Sequence, residues 1–275
     1  FMGLNGMMPE VFDSDITSVN DYLCRIQKIK KFIRENRQYA ADISKFDWTF
    51  FYRGDRYCSP IQSNFFRYGN INDEANNFKK WINENQDLIR EYKTDFEKLA
   101  YMQHYSANTR LLDFTTDPKV ALRFACGQKG DNCRKKVTLY NTACLKYDDT
   151  DFSQKIETFM QLVKSKKSLD DYLKTMVLKD YFIEMPQNFP RIKRQKGLFL
   201  LMGNFTTSEL LRGEPQPHNE KVKHELSPTK GRGDTYEGYV GVLSISPYCV
   251  EQIRDELEHT TCYRMDYLMG DDETR

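Results

Sequence analysis

The sequence predicts an α+β fold, a mixed and mostly antiparallel sheet core with several surrounding helices. Three observations lead there. Short runs rich in β-branched and aromatic residues ("WTFFYRG", "YFIEM", "GLFLLMG", "GYVGVLSI") lie between longer stretches whose apolar residues recur at three- and four-residue steps. Strands and helices do not alternate in the regular rhythm that a doubly wound parallel sheet requires. No internal repeat divides the 275 residues, and a 39% hydrophobic, 13% aromatic composition provides for a real core.

Taken in order, Val19, Tyr22, Ile26, Ile29 and Ile33 mark an N-terminal helix over 17–40. "WTFFYRG" (48–54) is a strand stopped by Gly54, and "SPIQSNFFRYGN" is a loop. Phe78, Trp81, Ile82, Leu88, Ile89 and Tyr92 predict a helix over about 73–92. The box Thr94-x-x-Glu97 opens the next helix, which runs to about Tyr105. "TRLLDFTTDP" is too short and irregular for a helix and reads as a turn, pinned by Asp113 accepting from backbone amides or from Arg110. Asp117 then caps a helix with Pro118 at its first position, and Gly127 stops it.

Alternation over Val137–Tyr147 predicts a strand, and Ser153–Lys166 and Ser168–Lys179 read as amphipathic helices. "YFIEM" (181–185) and "GLFLLMG" (197–203) are strands on either side of a basic loop, "PQNFPRIKRQK". Residues 213–237, with Pro215, Pro217 and Pro228 and little apolar content, predict a long mobile loop. "GYVGVLSI" (238–245) is a strand, and Ser246-Pro247 opens a last helix through Val250, Ile253 and Leu257.

Composition narrows the chemistry. Lys plus Arg number 41 against 40 Asp plus Glu, so a net charge of +1 creates no global field toward nucleic acid or an anionic membrane. Seven scattered cysteines without a C-x-x-C pair argue against a disulfide framework and a zinc site and for a reducing cytosol. The four His residues (104, 218, 224, 259) stand at no ligand spacing, so no metal is expected. There is no long apolar run and no charged leader before a hydrophobic block, which predicts a cytoplasmic protein without a membrane span. Signatures of P-loop, Rossmann, zincin and α/β-hydrolase sites are missing.

Three constellations remain. Tyr52-Arg53-Gly54 ends an aromatic strand with a planar fork of donors suited to phosphate or carboxylate, beside a residue that lets a ligand approach the backbone. The alternative, which spacing alone favours, pairs Arg53 with an internal acid. The second constellation is Gln103-His104 followed by Arg110, Asp113, Thr115 and Thr116, where mutual satisfaction of Arg110 and Asp113 gives them a structural role. The third is Arg191, Lys193, Arg194 and Lys196 around Gln195 just before an apolar strand, either a solvated basic loop or a polar residue held at a strand start.

The order of these pieces, "FYRG", "LAYMQHY", "TRLLDFTTDPKVALRFAC", "RIKRQKGLFLLMG" and "ISPYCVEQIRDEL", resembles the FRG domain family, named for its [F/Y]-R-G motif. The resemblance spans about 46–270 and implies a single FRG-like domain over 1–275. Ser106-Ala107-Asn108 stands where a Gly-containing turn is usual, and Phe114 where Trp is common. The family in turn looks like the ADP-ribosyltransferase fold. On that likeness Tyr52, Arg53 and Gly54 would hold NAD, with His104, Thr115 and Thr116 bordering the pocket. Arg53 and Gln195 would be the catalytic residues, and Glu184 is an alternative carboxylate. The chemistry implied is loss of nicotinamide through an oxocarbenium-like state and modification of a macromolecular target, protein or nucleic acid, by a bacterial or phage-related effector. The alternative is a non-catalytic nucleotide- or nucleic-acid-binding module, in which Arg53, Arg110 and the 191–196 cluster contact phosphates.

Overall fold

The structure is a computed structural model that describes residues 8–36, 49–57, 61, 63–65, 74–104, 108–131, 133–146, 157, 160, 181–185, 189–202 and 239–270. Its strands are β1 (Thr49–Arg56), β2 (Leu111–Thr115), β3 (Lys135–Thr142), β4 (Leu145–Lys146), β5 (Tyr181–Glu184), β6 (Gly197–Leu201) and β7 (Tyr239–Ile245). They form one seven-stranded sheet in the order β4-β5-β6-β2-β1-β3-β7. Every pair is antiparallel except the two-residue β4 against β5. The predicted α+β class with a mostly antiparallel sheet is therefore the fold adopted.

The helices are α1 (Pro9–Phe12), α2 (Val19–Glu35), α3 (Glu74–Glu84), α4 (Asp95–His104), α5 (Pro118–Cys126), α6 (Pro190–Gln195), α7 (Val250–Glu258) and α8 (Met265–Met269), with 3₁₀ turns at Pro247–Cys249 and Thr261–Tyr263. Their starts follow from capping chemistry. The Ser18 side chain accepts from Asp21 N at 3.0 Å to open α2. Before α4, Thr94 Oγ1 accepts from Glu97 N (3.2 Å) and Glu97 Oε2 accepts from Thr94 N (2.9 Å), the expected capping box. Asp117 Oδ1 accepts from Lys119 N at 2.9 Å and Pro118 starts α5, which ends at Gly127 with φ +61.

Alternation sorts the sheet into two faces. Tyr52 of β1 pairs with Thr115 of β2, so Tyr52 shares a face with Thr115, Asp113 and Leu111. On that face α1, α2, α5 and α7 pack on β1, β3 and β7 through Tyr22, Ile26, Ala121, Ala125, Leu139 and Ile253. Beside them α3, α4 and α6 pack on β2, β5 and β6 through Phe78, Phe96, Leu99, Ile192 and Phe199. The opposite face carries an aromatic cluster of Phe51, Phe65, Phe114, Tyr140 and Phe182, in which Phe51 and Phe182 stack at 4.8 Å.

The structure corrects several expected elements. "RLLDFT" is not a turn: Leu111–Thr115 is a central strand, in register with Gly197–Leu201 along its whole length. Five residues suffice for a strand where neighbours supply the hydrogen bonds, which no local signal reveals. The basic loop before β6 is the short helix α6, opened by Pro190. The helix predicted over 73–92 stops at Glu84. The C-terminal turn and α8 were not anticipated, because five residues carry too little periodicity to be read. The elements predicted over 168–179 and 213–237 lie outside the described residues, as does 153–166 apart from residues 157 and 160. No helix among the described residues is long and apolar enough to cross a membrane.

Candidate functional site

Arg53 occupies a break in the sheet. β1 pairs with β3 along all its residues from Thr49 to Arg56, but it shares only the pair Tyr52–Thr115 with β2. Past that pair the Arg53 side chain takes the place of ladder hydrogen bonds. Its Nη1 donates to Asp113 O at 2.7 Å, and its Nε donates to Asp55 Oδ2 at 2.7 Å, with a longer Nη2 contact to Oδ1 at 3.4 Å. Both side chains keep 17% exposure, so the pair lies at the surface of the junction rather than within the core. A guanidinium carries five N–H groups, and these three bonds leave one on each Nη nitrogen of Arg53 without an acceptor among the described residues. The alternative in which Arg53 pairs with an internal acid thus holds in part: Asp55 aims the fork and neutralises it locally.

Gly54 has a different job from the one expected. A Cβ built there would collide with Ala121 O and stand 2.5 Å from Ala125 N and 2.9 Å from Ala125 Cβ. The missing side chain therefore admits helix α5, not a ligand, against β1. Tyr52, the neighbour on the same face, is fully buried beneath α2 and α5, and its hydroxyl has no hydrogen-bond partner among the described residues. Burial holds that phenol well above its ordinary pKa, with the Asp117 charge adding to the effect. Lys30 of α2 lies over the rings of Phe50 and Tyr52, 5.4 and 5.8 Å from their centroids. Burial pulls its ammonium below the usual value, opposed by Asp117.

Thr115, Thr116 and Gln195 do meet, but through the backbone. Thr115 Oγ1 donates to Gln195 O at 2.7 Å and accepts from Asp117 N at 3.0 Å. Thr116 N donates to Lys196 O at 3.1 Å. These bonds tie the end of β2 to the end of α6. Lys196 closes α6 at φ 45, the only non-glycine residue with positive φ among the described residues, and its Nζ donates to Asp117 Oδ2 at 2.8 Å. Asp117 is thus at once the cap of α5 and the acceptor that holds Lys196, whose ammonium it pushes up. Gln195, expected at the start of the strand, is the buried last residue of α6. Its amide donates to Leu268 O at 3.1 Å.

Arg110 and Asp113 do not pair with each other. Arg110 Nε donates to Glu74 Oε1 at 2.7 Å, Nη2 closes on the other carboxylate oxygen, and Nη1 donates to Met202 O at 3.0 Å. Arg110 is completely buried, so it contributes no phosphate contact. Asp113 is exposed and its Oδ2 accepts from Gln103 Nε2 at 3.0 Å, while Thr109 Oγ1 donates to Gln103 Oε1. The reason is strand alternation: successive residues of β2 face opposite sides, and Arg110 lies just before the strand, turned into the interior. His104 ends α4 with its ring 6.1 Å from Phe189 and 5.9 Å from Phe199, and its carbonyl accepts from Arg191 Nη1 at 3.3 Å. The expected binding residues Tyr52, Arg53, Thr115 and Thr116 are therefore adjacent, whereas His104 belongs to the packing around α4 and α6. Asp55 was missed, although it stands two residues from Arg53, the spacing that places both side chains on one face of a strand.

Residues 48–133 match the FRG domain family. The chain carries an FRG domain, and the match takes in β1 with its Tyr52-Arg53-Gly54 motif, α3, α4, β2 and α5. No curated protein and no solved structure matches the chain.

Proposed function

We propose that the chain binds a nucleotide, with NAD the first to test, at the junction of β1 and β2, and that Arg53 contacts its phosphates. The observation that carries this reading is the aimed guanidinium: Asp55 and Asp113 O fix Arg53 while one N–H on each Nη nitrogen has no acceptor among the described residues. An anion arriving there meets donors already oriented, so little conformational entropy opposes binding. Thr116, exposed at the end of β2, and Lys196, largely exposed beside it, add a hydroxyl and a cation within the same neighbourhood.

In the catalytic form of this function, an ADP-ribosyltransferase-like enzyme breaks the bond between the nicotinamide nitrogen and the ribose. The electron pair leaves with nicotinamide, and a nucleophile of the protein or nucleic-acid target bonds the ribose carbon and gives up its proton. Gln195 would orient the ribose hydroxyl. One observation favours the binding-only form instead: the Gln195 amide is committed to Leu268 O.

Calorimetric titration with NAD, followed by incubation with labelled NAD and cell extract, separates the two. Binding plus label transfer, both lost in Arg53→Ala, supports the transferase. Saturable binding lost in Arg53→Ala without any transfer supports the binding module. Affinity unchanged in Arg53→Ala, or no binding of NAD or ATP, would rule out a nucleotide site at this junction.

A further inference from the structure

Three polar residues of α6, Arg191, Arg194 and Gln195, meet the C-terminal segment. Arg191, Arg194 and Gln195 stand at i, i+3 and i+4 and so share one helix face. Residues 261–270 meet each of them. Gln195 Nε2 donates to Leu268 O at 3.1 Å and lies 3.9 Å from Met269 Sδ. Arg191 Nη2 lies 3.2 Å from the same sulfur. The Arg194 guanidinium covers Gly270, where a Cβ would stand 2.9 Å from Nε. At the other end of the segment Lys119 Nζ sits 5.3 Å from the centroid of the Tyr263 ring.

These contacts are numerous but shallow. Within 261–270 only Leu268 is buried, and Tyr267 and Met269 keep large exposed surfaces. Polar contacts at a wet edge exchange readily for contacts with water, so the segment has one apolar anchor and little else to oppose its release. Its neighbour α7 is different, because Val250, Ile253, Arg254 and Leu257 are all buried. The chain therefore passes from a firmly packed helix into a weakly held one at Thr260–Arg264.

We propose that residues 261–270 form a displaceable strap that occupies the polar face of α6 and keeps the Gln195 amide committed to Leu268 O. Release breaks the Leu268 bond and leaves Gln195 free to swing about a backbone that Thr115 already holds at its carbonyl. The inhibitory consequence rests on the nucleotide site proposed above; the opening motion does not.

Hydrogen exchange followed by mass spectrometry on the full chain tests the opening. Peptides covering 261–270 should exchange at least about tenfold faster than those covering α7, as expected for local opening below the global limit. Gly270→Ala, whose Cβ must displace Arg194, should speed 261–270 further and leave α7 and β6 unchanged. Exchange of 261–270 at the α7 rate in the wild type, or an unaltered rate in Gly270→Ala, overturns the strap. A second arm compares NAD affinity of the full chain with that of a chain ended at Arg264 that retains a cooperative thermal transition. An affinity about tenfold higher in the shortened chain supports inhibition through a shift in the competent population; equal affinities overturn the inhibitory role. If neither form binds NAD, the nucleotide site fails and the strap stands or falls on exchange alone.

Discussion

Arg110 and Glu74 close on each other inside the protein, Nε to Oε1 at 2.7 Å, with the Arg110 side chain at 0% and the Glu74 side chain at 6% exposure. The pair joins the first turn of α3 to the entrance of β2, and Phe65 lies under the guanidinium at 5.5 Å. Neither partner has water to fall back on. Glu74→Ala should therefore destabilise the fold by about 3–5 kcal/mol, since it strands a buried charge, and Arg110→Met combined with Glu74→Leu should cost much less than the sum of the single changes. Urea denaturation of Glu74→Ala, Arg110→Met, Glu74→Leu and the double variant measures this; a loss below about 1 kcal/mol in Glu74→Ala would mean that the interior solvates Arg110 by other means.

Gly54→Ala asks whether the motif glycine serves packing. The added methyl meets the backbone of α5 at Ala121 and Ala125, which cannot rotate away. A loss of about 1–3 kcal/mol or more is expected from overpacking, read as a lowered Tm. A wild-type Tm with lost nucleotide affinity would instead return Gly54 to ligand approach.

Alkaline pH should weaken the fold through two thiols. Burial pushes the Cys126 and Cys144 pKa values up to about 12, helped at Cys144 by the Glu184 charge and opposed at Cys126 by Arg123, Arg254 and Lys135. The unfolded chain loses these protons near pH 9 and the folded chain holds them to about 12. Each raised pKa thus contributes stability that is complete below about pH 9 and is lost as pH rises toward 12, at no more than about 1.4 kcal/mol per pH unit per thiol. Denaturant midpoints from pH 8 to 11 should fall with a slope that Cys126→Ala reduces; a flat profile would contradict the burial.

Asp117 carries two roles of unequal weight. As the cap of α5 it should cost about 1–2 kcal/mol when changed to Ala. Its partner Lys196 has a side chain 62% exposed, so Lys196→Ala should cost under about 1 kcal/mol. Equal losses in chemical denaturation would mean that the ion pair, not the cap, holds the end of β2.

Arg53→Lys tests the planar fork. A lysine keeps the charge but cannot serve Asp55, Asp113 O and a ligand together. Nucleotide affinity should drop about 10- to 100-fold, the scale of one or two charge-assisted hydrogen bonds, with the thermal midpoint nearly unchanged. Unchanged affinity would show that Arg53 supplies only its charge.

The sequence by itself determined whatever depends on neighbours in the chain. The caps at Thr94–Glu97 and Asp117-Pro118, the stop at Gly127, the aromatic strand through Tyr52 and the α+β class all follow from local hydrogen bonding and periodicity. The FRG motif order was legible for the same reason. What only the tertiary structure decided is where long-range partners fall. Arg110 chose Glu74 over Asp113 because the start of β2 turns it inward, and "RLLDFT" became a strand because β6 was there to pair with it. Gly54 is glycine for a helix that follows more than sixty residues later in the sequence. Gln195 faces Leu268, an element too short to carry any periodic signal. Side-chain partners across such separations are set by packing geometry, and no local pattern encodes them.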